Sequence, residues 1–162
     1  MKTFSLKREQ FLPLNIDVVF AFFSDAHNLD LLTPPWLHFE ILTPPPIEMA
    51  LGTHIDYKLR LRGIPIRWRS QITDWSAPHR FTDCQVKGPY RLWVHQHRFV
   101  SIEGGTLVSD DVTYGVHGGE AVNRLLVRPD LERIFDYWAR QLEEWTLKQQ
   151  RQLEPVASGE RR

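Results

Sequence analysis

The sequence predicts an α+β fold in which a curved antiparallel sheet of about seven strands wraps around a long C-terminal helix. Two stretches carry the prediction. Over residues 129–149, Leu131, Ile134, Phe135, Trp138, Leu142 and Trp145 recur at steps of three and four and share one helical face. Glu132, Arg133, Asp136, Arg140, Glu143 and Glu144 fill the opposite face. Over residues 52–114 the apolar period is two, and Gly63-Ile64-Pro65, Ala77-Pro78, Gly88-Pro89 and Gly104-Gly105 break it with turn chemistry. A helix stripe with two tryptophans needs a broad apolar surface to cover it, and a sheet with one apolar face supplies that surface.

The elements follow in the order strand, two short helices, six strands, long helix (β-α-α-β6-α). Residues 4–11 alternate loosely and read as a first strand, which Pro13 ends. Asn15 or Asp17 caps a short helix carrying Val18, Val19, Phe20, Phe22 and Phe23. Ser24-Asp25 starts a second helical piece through Leu32. Two prolines keep Leu32-Thr33-Pro34-Pro35-Trp36-Leu37 out of regular helix. Residues 38–42 form a short strand, and Pro44-Pro45-Pro46 is a stiff connection. Strands then occupy residues 53–62, 67–75, 80–87, 91–101 and 106–114. After Gly118-Gly119, residues 120–127 make a short helical or loop piece. Pro129 suits the first turn of the long helix, and Asp130 suits the positive end of its dipole. Residues 1–150 are expected to form one domain, with 151–162 a polar, fraying tail.

A chain of 162 residues suits one domain with a single core. Lys+Arg 20 balances Asp+Glu 20, which argues against a nucleic-acid binder relying on bulk charge. Cys84 is the only cysteine, so neither an intrachain disulfide nor a multi-cysteine metal site forms. The start of the chain lacks an apolar signal core, and no run approaches the ~18 apolar residues of a membrane span. The expectation is a soluble, cytoplasmic protein.

Several segments carry a resemblance: Leu32-Thr33-Pro34-Pro35-Trp36-Leu37, the run from Leu59 to Trp68, Gly88-Pro89-Tyr90-Arg91-Leu92-Trp93, His95-Gln96-His97-Arg98-Phe99, and Leu131 to Tyr137. Over roughly residues 3–148 the chain resembles the helix-grip superfamily (SRPBCC), which includes START domains and the birch-pollen allergens. It looks most like the polyketide cyclase/dehydrase-like branch. The resemblance implies a deep cavity between the concave sheet face and the long helix, normally holding an apolar or amphipathic small molecule. If such a molecule binds there, the Leu32–Leu37 loop and residues 118–127 are expected to gate the mouth. Since one fold hosts many functions, the function has to come from the site.

Loop lengths set strand registers, and registers set facing. A four-residue loop pairing Arg62 with Arg67 puts Arg60 opposite Arg69 and Leu61 opposite Trp68. Tyr57, Leu59, Leu61, Trp68, Ser70 and Ile72 then face the cavity, with Lys58, Arg60, Arg62, Arg67 and Arg69 outside. Trp75 and Val86 fall on that outer face too. A three-residue loop at Gly88-Pro89-Tyr90 puts Asp83 opposite His95 and Phe81 opposite His97. Pairing Ser101 with Thr106 puts Phe99 opposite Val108, His97 opposite Asp110 and His95 opposite Val112. Both histidines thus enter the concave side beside two carboxylates.

Buried charge needs partners, and a histidine–carboxylate pair satisfies that need. Asp83, His95, His97 and Asp110 therefore read in three ways: a polar network bracing the sheet, groups orienting a ligand, or acid–base catalysts. The histidine spacing places both imidazoles on one strand face, where zinc or iron ligation is conceivable in principle. That is a two-ligand signal, and neither metal nor cofactor is assigned. The candidate ligand-binding residues are Trp36, Tyr57, Trp68, Asp83, Trp93, His95, His97, Asp110, Tyr114 and Trp138. Trp36 covers the entrance or pins its loop. The outer stripe Lys58, Arg60, Arg62, Arg67 and Arg69 is either a solvated face or a surface for an acidic partner or anionic membrane.

The leading reading is a binder of an apolar or amphipathic molecule: a lipid, isoprenoid, polyketide or aromatic metabolite. The alternatives are a cyclase/dehydrase-type enzyme using the same histidines, and a protein-interaction domain using the basic face.

Overall fold

The computed structural model describes residues 1–154. The chain opens with β1 (Phe4–Leu12), α1 (Ile16–Phe23) and α2 (Asn28–Leu32), then a single 3-10 turn at Pro35–Leu37. Six further strands follow: β2 (Glu40–Ile41), β3 (His54–Leu61), β4 (Ile64–Ser76), β5 (Arg80–Lys87), β6 (Leu92–Ile102) and β7 (Gly105–Gly115). They form one antiparallel sheet in the order β1-β7-β6-β5-β4-β3-β2. Helix α3 (Gly119–Val122) runs through a π turn (Asn123–Val127) into the long α4 (Arg128–Leu153).

Local chemistry accounts for the boundaries. Asn15 caps α1, its side-chain oxygen accepting the Asp17 backbone N–H at 2.8 Å. Pro13 follows the last residue of β1 and has no N–H to extend the ladder. α4 begins with Pro129 and Asp130 in its first turn. It runs to Leu153, past the boundary expected at residue 150. The rest of the expected tail, residues 155–162, lies outside the described residues.

The core has two apolar clusters. One gathers Phe20, Phe22 and Phe23 of α1 with Ile72, Phe81, Phe99, Val108 and Leu142. The other gathers Leu59, Trp68, Trp93, Val112 and Tyr114 with Leu131 and Phe135 from the first half of α4. Leu131, Phe135 and Leu142 of the predicted stripe are buried, and Trp138 and Trp145 pack partly buried against the first cluster.

Two sequence expectations are corrected here. The β3–β4 hairpin turns on two residues, Arg62-Gly63, and Leu61 pairs with Ile64. Both turn residues have positive φ, +50° and +80°, the geometry that matches the right-handed twist of the flanking strands. Tyr57 therefore lies opposite Trp68, Lys58 opposite Arg67, and Asp56 opposite Arg69. Pro65 is tolerated because β4 pairs with β5 only from Arg69 onward, leaving one edge of that stretch unpaired. The expected Arg62/Arg67 and Arg60/Arg69 pairings do not occur. Instead Arg69 makes a two-pronged bond to Asp56 at 2.7 and 2.8 Å, Arg62 another to Asp130 at 2.8 and 3.0 Å, and Lys58 pairs with Glu40. The second correction is Trp75. A bulge between Ile72 and Asp74 turns its ring inward against Phe20 and Phe81.

Candidate functional site

The site lies on the three central strands β5, β6 and β7. Their registers are those the loops predicted: Asp83 opposite His95, Phe81 opposite His97, and His97 opposite Asp110. With a side-chain period of two, Asp83, His95, His97 and Asp110 all enter the concave face. His95, His97 and Asp110 are buried; Asp83 is half-buried.

The contacts run diagonally rather than straight across. His95 Nε2–H donates to Asp110 Oδ1 at 2.9 Å. His97 Nε2–H donates to Asp83 Oδ2 at 3.1 Å. The other nitrogen of each ring faces the other carboxylate: His97 Nδ1 lies 2.9 Å from Asp110 Oδ1, and His95 Nδ1 lies 3.8 Å from Asp83 Oδ2. The His97 Nδ1 contact is short but poorly aligned, so this buried nitrogen has no true hydrogen bond. Each imidazole is thus clamped between two carboxylates, and the ring centres are 3.8 Å apart.

Aromatic rings enclose the quartet. Phe81 stacks on His97 with centroids 4.3 Å apart, and Trp138 lies nearly parallel to it from α4 at 6.5 Å. Phe135 and Trp93 meet His95 at steep angles. The polar quartet therefore sits at the seam between the two apolar clusters. Burial works to lower the His97 pKa, but the Asp110 and Asp83 carboxylates outweigh it and push it up to about 9. Burial works to raise the Asp110 pKa, but His95 and His97 outweigh it and hold the carboxyl well below its usual range.

A cavity of about 180 Å³ opens beside the quartet, between the sheet and α4. That is close to an engineered cavity of roughly 150 Å³ that accommodates benzene. Tyr57, Trp68, Asp83, Trp93, His95, His97 and Trp138 line it, as the facing argument predicted. Tyr57 and Trp68 stack with ring centres 5.8 Å apart. Burial raises the Tyr57 phenol above its ordinary range, helped by the Asp83 charge.

Three of the predicted ligand contacts sit elsewhere. Trp36 is 38% exposed and lies outside the cavity, edge-on to Tyr137 of α4 with the Arg133 guanidinium 4.2 Å above its ring. It pins its loop. Tyr114 is fully buried behind the lining and donates its O–H to Asn123 Oδ1 at 3.0 Å. Asp110 stands behind the imidazoles rather than on the cavity surface. Of the expected gates, Leu32, Thr33 and Leu37 border the cavity, whereas residues 118–127 contribute no lining side chain.

Ser70, expected on the cavity side but not among the ligand-binding candidates, and Tyr90, which was not singled out, also line the cavity. Ser70 Oγ accepts from Trp68 Nε1–H at 3.0 Å and lies 3.2 Å from Tyr57 Oη, so one hydroxyl serves two polar tips. It was legible as the sole small polar residue on an otherwise apolar strand face. Tyr90 belongs to a predicted turn, and only the folded hairpin brings its ring onto Trp93, 4.8 Å away.

The architecture matches known structures at low identity. Ara h 8.0201 aligns with a TM-score of 0.69 and 14% identity, over 91% of this chain and 99% of its own. Major latex-like protein 151 from Panax ginseng gives 0.65 and 14%, over 90% and 98%. A point mutant of norcoclaurine synthase from Thalictrum, in complex with a transition state analogue, gives 0.63 and 15%, over 88% and 96%. These likenesses establish the fold. No curated protein sequence matches the chain. A family model does, and it spans most of the two-layer domain: on residues 12–152 the chain belongs to the family described as polyketide cyclase / dehydrase and lipid transport.

Proposed function

We propose that this protein binds a small apolar or amphipathic molecule in the cavity between sheet and α4. One observation carries the reading: a largely apolar, ring-lined space of about 180 Å³ carries a histidine–carboxylate group, Asp83, His95 and His97, on its sheet wall. That is the usual composition of a small-molecule site, with apolar walls supplying affinity and a few polar groups fixing orientation. The volume suits an aromatic ring or a short aliphatic segment. Leu29 and Leu32 of α2 line the cavity on its helical side.

The test is native mass spectrometry of protein taken directly from cells, paired with titration by an apolar fluorescent dye. A retained small molecule, or saturable dye binding that the released molecule displaces, is the expected result. Leu29→Trp puts a larger ring on the cavity lining and is expected to abolish dye binding while leaving the circular dichroism spectrum unchanged. Dye binding unaffected by that substitution would place the ligand elsewhere and defeat the reading.

A second reading, an enzyme of the cyclase/dehydrase type, draws support from the family and from the histidine–carboxylate cluster facing the cavity. Histidine is the commonest acid–base group near neutral pH. His97→Ala separates the two readings: loss of turnover with ligand binding spared favours the enzyme, and loss of binding alone favours the carrier.

No helix among the described residues is long and apolar enough to cross a membrane. For the basic stripe, Lys58, Arg62 and Arg69 already have carboxylate partners. An acidic partner or an anionic membrane surface would therefore have to compete with those ion pairs for this face.

A further inference from the structure

We propose that Asp83, His95 and His97 form a binding site for a divalent first-row transition metal ion, zinc or ferrous iron. Asp110 acts as the anchor that orients both imidazoles. The argument starts from how each ring is held. Asp110 Oδ1 receives His95 Nε2–H at 2.9 Å and lies 2.9 Å from His97 Nδ1. That leaves His95 Nδ1 without a hydrogen bond and His97 Nε2 bonded only to Asp83 Oδ2, a bond that the ion would replace. Both nitrogens approach the same oxygen, Asp83 Oδ2, at 3.8 and 3.1 Å. One ligand atom from each of the three residues lies within 4.8 Å of the others.

Those spacings suit a shared ion. Zinc takes imidazole nitrogen at about 2.0–2.1 Å and carboxylate oxygen at about 2.0–2.2 Å, so neighbouring tetrahedral donors lie roughly 3.3 Å apart. The two measured nitrogen–oxygen separations bracket that value. A carboxylate behind a ligating histidine fixes its tautomer and its orientation; Asp110 bonds His95 in this way and stands 2.9 Å from His97 Nδ1, where turning the His97 ring onto the ion would align a second such bond. The donors stand on adjacent central strands of the sheet rather than on loops, which favours a fixed geometry.

Charge points the same way. Two carboxylates share one buried cluster with two imidazoles. A divalent cation balances both carboxylates while leaving both rings neutral, the form in which imidazole ligates metal. Two nitrogens and one oxygen make a borderline donor set. With three protein ligands, it resembles catalytic zinc sites and the two-histidine, one-carboxylate sites of non-haem iron rather than closed structural ones. Asp83, His95 and His97 all border the cavity, whereas Asp110 does not. The open coordination positions therefore face the space where a ligand would lie, and an oxygen or nitrogen donor on that ligand would complete the sphere. This last step rests on the proposed cavity function; the binding of the ion does not.

The test uses tag-free protein stripped with a chelator and titrated with Co²⁺, read by visible absorption, then with Zn²⁺ in competition. The expected result is a saturable cobalt band with one ion per chain that zinc displaces. His95→Ala, His97→Ala and Asp83→Asn each abolish it. Asp110→Asn keeps the band and weakens binding ~10–100-fold, the usual consequence of losing an outer partner. His54→Ala, at an exposed histidine remote from the quartet, changes nothing. A variant that does not fold is replaced by a second measurement on the unaltered protein, in which stoichiometric Co²⁺ selectively shifts or broadens the ring-proton resonances of His95 and His97. The proposal fails if the wild-type protein shows no saturable band. It also fails if the band survives Asp83→Asn and His97→Ala, or if the shifted resonances belong to other histidines. Dye binding by the metal-free protein is measured alongside. A dye that enters while no metal binds overturns this inference and leaves the cavity reading standing; metal without dye does the reverse.

Discussion

At the residue scale, the quartet sets how stability responds to pH. In metal-free protein His97 is held near 9, against 6.5 for an unperturbed imidazole. A raised folded-state pKa gives stability that is complete below the unfolded pKa and disappears as pH rises through the folded one. The Asp110 pKa is lowered from 3.8, so its contribution is complete above that value and disappears as the medium becomes strongly acidic. Unfolding free energy, measured by urea titration in the presence of a chelator, should therefore be highest between about pH 4 and 6.5. It should fall by on the order of 2–4 kcal/mol as pH is raised past 9. His97→Gln should flatten the alkaline limb. An unchanged limb in that variant would mean that His97 is neutral in the folded protein.

At the scale of elements, the close approach of β7 to the end of β1 depends on one glycine. β7 begins at Gly105, across the chain from the end of β1. A Cβ there would press into the Leu12 carbonyl oxygen and the Cα of Pro13, both backbone atoms that have no rotamer to retreat into. Gly105→Ala should cost about 1–3 kcal/mol, the range for forcing extra carbon into a packed site. Denaturation midpoints at constant slope would measure it, and a change inside ±0.5 kcal/mol would show that the strand end moves freely. The β3–β4 hairpin illustrates a different element-level effect. Its register differs from the expected one by an even number of residues, so every side chain keeps its face although its partner changes. Tyr57, Leu59, Trp68, Ser70 and Ile72 thus keep the predicted cavity side while the expected arginine–arginine pairings are replaced. The bulge after Ile72 breaks that parity, and Trp75 switches faces as a result.

At the scale of the whole molecule, sheet and α4 enclose a space that packing leaves unfilled. Leu12, Val19, Ile72, Phe99 and Leu142 are almost fully buried in the neighbouring cluster, so the space is a local feature within an otherwise close-packed interior. A ligand that binds only the folded state stabilises it by mass action, by about 2.7 kcal/mol at a hundredfold excess over the dissociation constant. Saturating ligand should therefore raise the melting temperature without altering the secondary structure, and Leu29→Trp should abolish that rise. A ligand that binds without any such shift would have to bind the unfolded chain equally well.

The succession of elements, the hairpin pairing of consecutive strands, the helix stripe and the inward facing of His95, His97, Asp83 and Asp110 were already determined by the sequence alone, whereas the place of β1 beside β7 was not. The features so determined follow from local periodicity and from loop lengths that leave few choices of pairing. Three further outcomes belonged to the tertiary structure: the diagonal pairing of imidazoles with carboxylates, the seat of Trp36 on α4 outside the cavity, and the withdrawal of Tyr114 behind its lining. The physical reason is the same in each case. Periodicity tells a side chain which face it takes, but its partner depends on distances between strands and helices far apart in the chain, and those distances exist only after the layers have packed.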